Sequence, residues 1–353
     1  VRALVTGGGG FLGRAIVREL CERGDEVASF SRGVHPDVEA LGARCFRGDV
    51  ADDRALRAAL DEFGRVDVVF HTAALAGIFG SRASYARTNV DGTRNVIDAC
   101  RAAHVGRLVF TSSPSVCFDG SDHVRARNDV PRARRFLAEY PRSKAEAEEL
   151  VLAAHGEHGL ATTALRPHLI FGPGDPHLLP RLVARARARK LAVVGSGRNE
   201  VSLTYVDNAA RAHVLASDRL SPSAAHGGRA YFHAQREPVI LWDWIRELLS
   251  ALEIPLPSRR VPLPAAYAIG AALECAWTVA RRSGEPPMTR FLALQLARSH
   301  SYDMEPAERD FGYRESVSMA AATERTIAFL RAQQGSSVGR LRASGDTRLS
   351  AAP

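Results

Sequence analysis

The chain has 353 residues, 46% apolar and 24% charged, a balance that gives a sizeable core in one large domain or two lobes and argues against a disordered chain. Its net charge of +8 invites a nucleic-acid partner, but only two of the 47 basic residues, Lys144 and Lys190, are lysines. So lopsided a usage points to coding composition, and no nucleic-acid partner is expected.

Short β-branched runs alternate with helical stretches along the first half. Strands are expected at residues 2–5 and 26–31, a third before Gly48, and others at 66–70, 107–111 and 161–165; helices are expected at 12–23, 52–63, 92–104 and 143–155. Because residues 2–6 already read as a core strand, no signal peptide is expected. This alternation predicts parallel strands joined by right-handed crossovers: an α/β, doubly wound Rossmann sheet over residues 1–172, with ligands at the carboxyl ends of the strands. From 173 to 332 prolines and shorter elements predict a smaller, mainly substrate-binding lobe, with some segments returning to the sheet. The stretch 333–353 is small and polar and is expected to be disordered. Residues 261–280 are apolar, but they carry Glu274 and two prolines, so a spanning helix is not expected and peripheral membrane contact stays open. Ile269, Leu273 and Trp277 fall four apart there, as if to pack on the core or line a greasy pocket. The five cysteines are odd in number, widely spaced and without a CxxC pair, which speaks against disulfides and a metal site and for a reducing, cytoplasmic setting.

The motifs cluster at the predicted strand ends. Gly7, Gly10 and Gly13 form a GxxGxxG spacing between the first strand and helix, with Phe11 and Leu12 opening the helix. Glycine permits the tight turn and the close approach of backbone to a pyrophosphate, and the helix N-terminus offers unpaired N–H groups. Where an acidic residue would accept from an NAD ribose, the chain has Ser31 and Arg32; a guanidinium suits a 2′-phosphate, so NADPH is favoured and NAD stays open. Asp49 and Val50 follow the third strand, where a carboxylate could meet an adenine amine, and the small Ala73 and Ala74 follow the fourth.

Tyr140 and Lys144 lie four apart at a helix start, hence on one face. A phenol with pKa near 10 is a poor acid at neutral pH, and an adjacent ammonium brings it toward the working range. Thr111, Ser112 and Ser113 end the fifth strand, and either serine could donate to a substrate carbonyl beside Tyr140. Asn89 precedes a predicted helix and either caps it or holds backbone and a water near Lys144.

These segments, with residues 166–175 (RPHLIFGPGD) and 205–209 (YVDNA), resemble the extended short-chain dehydrogenases, in particular their 3β-hydroxysteroid dehydrogenase branch. Within it, residues 177–182, 287–291 and 304–313 are most similar to the bacterial keto-acid reductases of long-chain olefin biosynthesis, and the similarity spans about residues 2–330. The resemblance implies catalysis by Ser113, Tyr140 and Lys144, with Lys144 also binding the nicotinamide ribose. It further implies Pro167, Leu169 and Ile170 beside the nicotinamide and a homodimer through the helices at 92–104 and 143–155, and it leaves a complex with other olefin-pathway enzymes open. The expected reaction is NADPH-dependent reduction of long-chain 2-alkyl-3-oxoalkanoic acids, small lipid-like keto acids. The alternatives are 3β-hydroxysteroid or 4-carboxysterol oxidation and, in a different class, a non-catalytic dinucleotide-sensing regulator. The chain departs from many sugar-nucleotide epimerases at Cys117 and Arg166–Pro167, which lowers the expectation of a nucleotide-sugar substrate. Arg181, Arg185 and the arginines at 125–135 are all candidates for the substrate carboxylate.

Overall fold

The structure, a computed structural model, describes residues 1–346, with side chains through residue 334. Seven strands form its central sheet: β1 (Arg2–Thr6), β2 (Glu26–Ser31), β3 (Arg44–Arg47), β4 (Val68–His71), β5 (Arg107–Thr111), β6 (Ala161–Pro167) and β7 (Ala230–His233). All pair in parallel, in the order β7-β6-β5-β4-β1-β2-β3. The order reverses between β1 and β4, so the crevice at their carboxyl ends is the natural ligand position. Leu4, Val69, Phe70, Leu108, Val109 and Phe110 are fully buried, as strands covered by helices on both faces require.

The helix Phe11–Glu22 starts directly after Gly10 and has no side-chain cap, so its first N–H groups are left to a ligand or to water. Asp52, in contrast, caps the helix Asp53–Phe63 by accepting from Arg54 N and Ala55 N. The helix expected from residue 92 begins earlier: Arg82–Tyr85 is helical, Ala86–Asp91 forms a π turn, and Gly92–Ala102 continues it. Asn89 therefore lies inside a helical run, and the capping alternative is corrected. Its side chain is spent on other elements, as described below.

The two halves exchange segments. β7 and the helix Val206–Asp218, both from the second half, complete the doubly wound layer, the helix packing on Phe11–Glu22 with Arg18 paired to Asp207. Conversely, His123–Ala126 joins the second, four-stranded sheet, beside His300–Tyr302. The last helix is Met319–Asp346. The stretch expected to be disordered from 333 continues this helix to Asp346, with no proline before Pro353 to interrupt it, and 347–353 lie outside the described residues.

The apolar stretch at 261–280 is the helix Leu263–Val279, and no helix among the described residues is long and apolar enough to cross a membrane. Its buried positions are Ala266 and Gly270, whereas Ile269 is 50% exposed. The Ile269, Leu273, Trp277 face therefore does not provide its packing contact with the core. A Cβ on Gly270 would stand 2.6 Å from the Thr289 carbonyl carbon, so the helix docks through its small residues, where the backbones approach most closely.

Candidate active site

The glycine turn closes on itself: Gly7 has φ +72°, its N–H donates to Phe30 O, and its carbonyl accepts from Gly10 N at 2.8 Å. A Cβ on Gly7 would lie 2.8 Å from Ala73 N, and one on Gly13 only 2.1 Å from Gly7 O. Glycine is needed at both positions because backbone fills the space. A cleft of about 370 Å³ opens above the turn, lined by Gly7, Gly10, Ser31, Arg32, Asp49, Val50, Ala73 and Ala74 among others. The sequence placed all eight in a cofactor site. Phe11 and Leu12 begin the helix, Leu12 being buried in the core. His35, which the sequence did not single out, also lines the cleft, its ring packed against Gly9.

Local bonds fix the cleft's walls. Ser31 Oγ accepts from Gly9 N at 3.1 Å, and Arg32 is exposed. Burial acts to raise the Asp49 carboxyl, but Ala51 N and the Arg87 guanidinium outweigh it and hold it below its ordinary range. At the ends of β1 and β4, Thr6 Oγ1 meets His71 Nδ1 at 2.7 Å and His71 Nε2 meets Thr93 Oγ1 at 3.0 Å; Thr93 in turn donates to Asn89 O. Burial, with the Lys144 charge second, pushes His71 down to about 3, so it is a neutral strut. Asn89 links the cleft to the helix that carries Tyr140 and Lys144: Oδ1 accepts from Leu75 N, and Nδ2 donates to Leu75 O and to Ser143 Oγ at 2.9 Å. Ser143 Oγ donates onward to Tyr140 O.

Tyr140 stands in the first turn of the helix Glu139–Ala153, with Ser113 beside its phenol. Burial pushes that phenol above its ordinary value, and the neighbouring Ser113 hydroxyl opposes it. Ser113 Oγ also accepts from Ser115 N and from Ser115 Oγ at 2.9 Å. Its neighbour Ser112 is buried and donates instead to Glu148 Oε2 at 2.6 Å. This geometry separates the two serines that the sequence left open: Ser113 faces the phenol, Ser112 faces the core.

Lys144 is buried one turn after Tyr140, its Nζ donating to Thr111 O at 2.6 Å and lying 4.0 Å from the centre of the Phe110 ring. Burial lowers its pKa to about 7, against a raising influence from Glu148. Glu148, one further turn along, is fully buried and accepts from Arg166 Nε at 2.8 Å and Nη2 at 2.7 Å. Burial acts to raise the Glu148 carboxyl, but Arg166, Ser112 and Arg132 together hold it below its ordinary range. Arg166 directly precedes Pro167, which ends β6; Leu169 follows at φ +42° and, like Ile170, is half-buried. Glu148 and Arg166 were not anticipated as a pair, although Glu148 follows Lys144 at helical spacing and was readable in principle.

Of the arginines proposed for a carboxylate, Arg181 pairs with Glu285 at 2.6 Å and Arg185 donates to Pro287 O at 2.6 Å. The segments 177–182 and 287–291, distant in sequence, are thus brought near each other by this lobe. Among the described residues, no group of histidine, cysteine or acidic side chains could hold a metal.

A glycine cradle at the switch point, the cleft above it and a tyrosine–serine–lysine set at the same sheet edge fit a nicotinamide dinucleotide. The chain belongs to the 3-beta hydroxysteroid dehydrogenase/isomerase family, whose pattern matches residues 4–264. It is an NAD(P)-dependent oxidoreductase of the short-chain dehydrogenase type. It is similar to the 2-alkyl-3-oxoalkanoate reductase of Stenotrophomonas maltophilia, with 48% identity over 330 residues covering 93% of this chain and 99% of that protein. The mouse sterol-4-alpha-carboxylate 3-dehydrogenase, decarboxylating, is 35% identical over 330 residues, 92% of this chain and 90% of that one. A solved structure of MoeE5 in complex with UDP-glucuronic acid and NAD is 25% identical with a TM-score of 0.70, covering 94% of this chain and 100% of that one.

Proposed function

We propose that this protein reduces the C3 ketone of long-chain 2-alkyl-3-oxoalkanoic acids with NADPH. The observation that carries the reading is the Tyr140 phenol standing beside Ser113 at the sheet's carboxyl edge, one turn from buried Lys144. It occurs in a chain 48% identical over 330 residues to a protein named for that reaction.

A nicotinamide held here would supply hydride for the carbonyl carbon. Tyr140 gives the proton to the carbonyl oxygen, and Ser113 donates a hydrogen bond to that same oxygen as negative charge develops. Lys144, anchored on Thr111 O, holds the nicotinamide ribose and supplies positive charge beside the phenol. The glycine turn and free helix N-terminus would hold the pyrophosphate, Asp49 and Val50 the adenine, and Ala73 and Ala74 the cofactor's flat face. Pro167, Leu169 and Ile170 border the nicotinamide. Arg32, exposed at the end of β2, supports a 2′-phosphate and hence NADPH. We further place the protein in the cytoplasm, as a homodimer joined through the helices Gly92–Ala102 and Glu139–Ala153, available to olefin-pathway enzymes and to peripheral membrane contact.

Identity to the mouse sterol dehydrogenase favours a second reading, oxidation of a 4-carboxysterol. Both names put a carboxylate one carbon away from the carbon that bears oxygen, so the substrate class is a β-oxygenated carboxylate in either case. Initial rates with a long-chain 2-alkyl-3-oxo acid and with a 4-carboxysterol, each with both cofactors, separate the two. Faster keto-acid reduction with NADPH is expected; faster sterol oxidation with NAD would overturn the proposal.

A further inference from the structure

A second cavity, of about 630 Å³, runs along the outer side of the helix Leu263–Val279. Ala271, Cys275 and Val279 form one wall, the loop at 78–80 the opposite rim, and Phe136 and Leu137 part of the floor. The wall from Ala271 to Val279 is about 12 Å long at the helical rise. Its charged lining residues are already engaged: Arg290 donates to both oxygens of Glu274, at 2.7 Å each, and Glu139 is paired with Arg142. What remains for a ligand is an elongated, mainly apolar trough.

The trough borders the turn that carries Tyr140. Its floor, residues 136–139, runs straight into Tyr140. Gly80 on the rim packs on the Tyr85 ring, where a Cβ would lie 3.0 Å from Cε2, and the Tyr85 ring meets that of Tyr140 edge-on at 6.5 Å. The rim loop is held in place by Glu285, which accepts from Ile78 N at 2.8 Å while paired with Arg181.

We propose that this trough is the subsite for a long alkyl chain of the substrate, and that the small side chains of Ala271 and Cys275 set the chain length it accepts. The proposal rests on the ketoreductase reading and deepens it. Each methylene buried there contributes about fourfold to kcat/KM, so activity rises with chain length until the wall is used up.

Cys275 gives a readout that needs no turnover. It is exposed, whereas Cys100 and Cys117 are buried and Cys21 and Cys45 half-buried. Palmitate below its micellar range is expected to slow maleimide modification of Cys275 at least fivefold, and hexanoate to leave it unchanged. Ala271→Phe should abolish the palmitate protection. It should also lower kcat/KM at least tenfold for a long-chain 2-alkyl-3-oxo acid, leaving a short-chain homologue within about twofold. Cys275→Trp repeats the kinetic arm at a second wall position, and thermal unfolding identifies either variant that has lost its fold. Three outcomes overturn the proposal: no protection by palmitate, equal protection by phosphatidylcholine vesicles alone, or protection that rises with protein concentration without ligand. The last two assign the trough to a lipid surface or to a second copy of the chain. A wild-type protein that reduces no keto acid at all defeats the ketoreductase reading instead, and palmitate protection with its loss in Ala271→Phe still decides the trough.

Discussion

Lys144 and Glu148 are one helical turn apart and both are buried, yet they face different tasks. The proposed mechanism requires a positive charge on Lys144 in a place where burial takes its pKa to about 7, and the raising influence on it comes from Glu148. Groups around this lysine include His71 from β4, held neutral by burial, and beyond Glu148 the Arg166 and Arg132 guanidinium groups. Glu148→Gln removes the negative charge and leaves Arg166 uncompensated, so Lys144 loses its proton at lower pH. The alkaline limb of the kcat/KM profile is therefore expected to move downward in pH, whereas a merely structural role would leave its position unchanged. Loss of a buried ion-pair partner also costs on the order of 3–5 kcal/mol, measurable by denaturant unfolding above pH 6. Because the folded-state carboxyl is held below its ordinary range, its contribution is present above the ordinary carboxylate pKa and lost as pH falls through the folded value. A second residue-scale prediction concerns cofactor choice. Arg32→Ala should raise KM for NADPH about tenfold or more and leave KM for NADH within about twofold; equal effects on both would remove Arg32 from 2′-phosphate recognition.

At the scale of elements, the glycine turn shows how much was legible in the sequence. A GxxGxxG spacing between a strand and a helix requires close backbone approach, and the structure has it, with Gly7 against Ala73 and Gly13 against the Gly7 carbonyl. Gly13→Ala is therefore expected to cost about 1–3 kcal/mol through overpacking and to weaken dinucleotide binding, checked by denaturant unfolding and cofactor titration; unchanged stability would contradict the packing described. The helical run from Arg82 was not legible, because residues 82–91 carry no clear apolar period and a π turn breaks the 3.6-residue spacing. The choice between the two roles offered for Asn89 follows from that: it holds backbone rather than capping, and its partners, Leu75 and Ser143, are distant in sequence and become neighbours only through tertiary packing. The same limit applies to Arg166 with Glu148, and to Arg181 with Glu285. Periodicity did identify Leu263–Val279 as a helix but misjudged its inward face. Small residues at Ala266 and Gly270 dock it, since close helix approach here is set by size rather than by hydrophobicity.

For the whole molecule, the exchange of segments between halves has a thermodynamic consequence. β7 completes the sheet edge beside β6, the helix Val206–Asp218 covers its face, and His123–Ala126 is built into the second sheet. Neither half buries its apolar surface without the other. A single cooperative calorimetric transition is expected, and a fragment ending at residue 172 should remain unfolded; two separated transitions would contradict this coupling. The sequence boundary at 172 marks a change in composition, and the fold crosses it in both directions.

The central claim is that Tyr140, beside Ser113 and backed by Lys144, hands a proton to a keto-acid oxygen as hydride arrives from the nicotinamide. The most direct measurement is ketone-dependent NADPH oxidation by wild-type protein and Tyr140→Phe, with cofactor binding followed by fluorescence in both. The account predicts a fall in kcat of about 10²–10⁴-fold with the cofactor Kd within about twofold of wild type. Turnover by Tyr140→Phe at the wild-type rate, with the cofactor bound equally well, would contradict it.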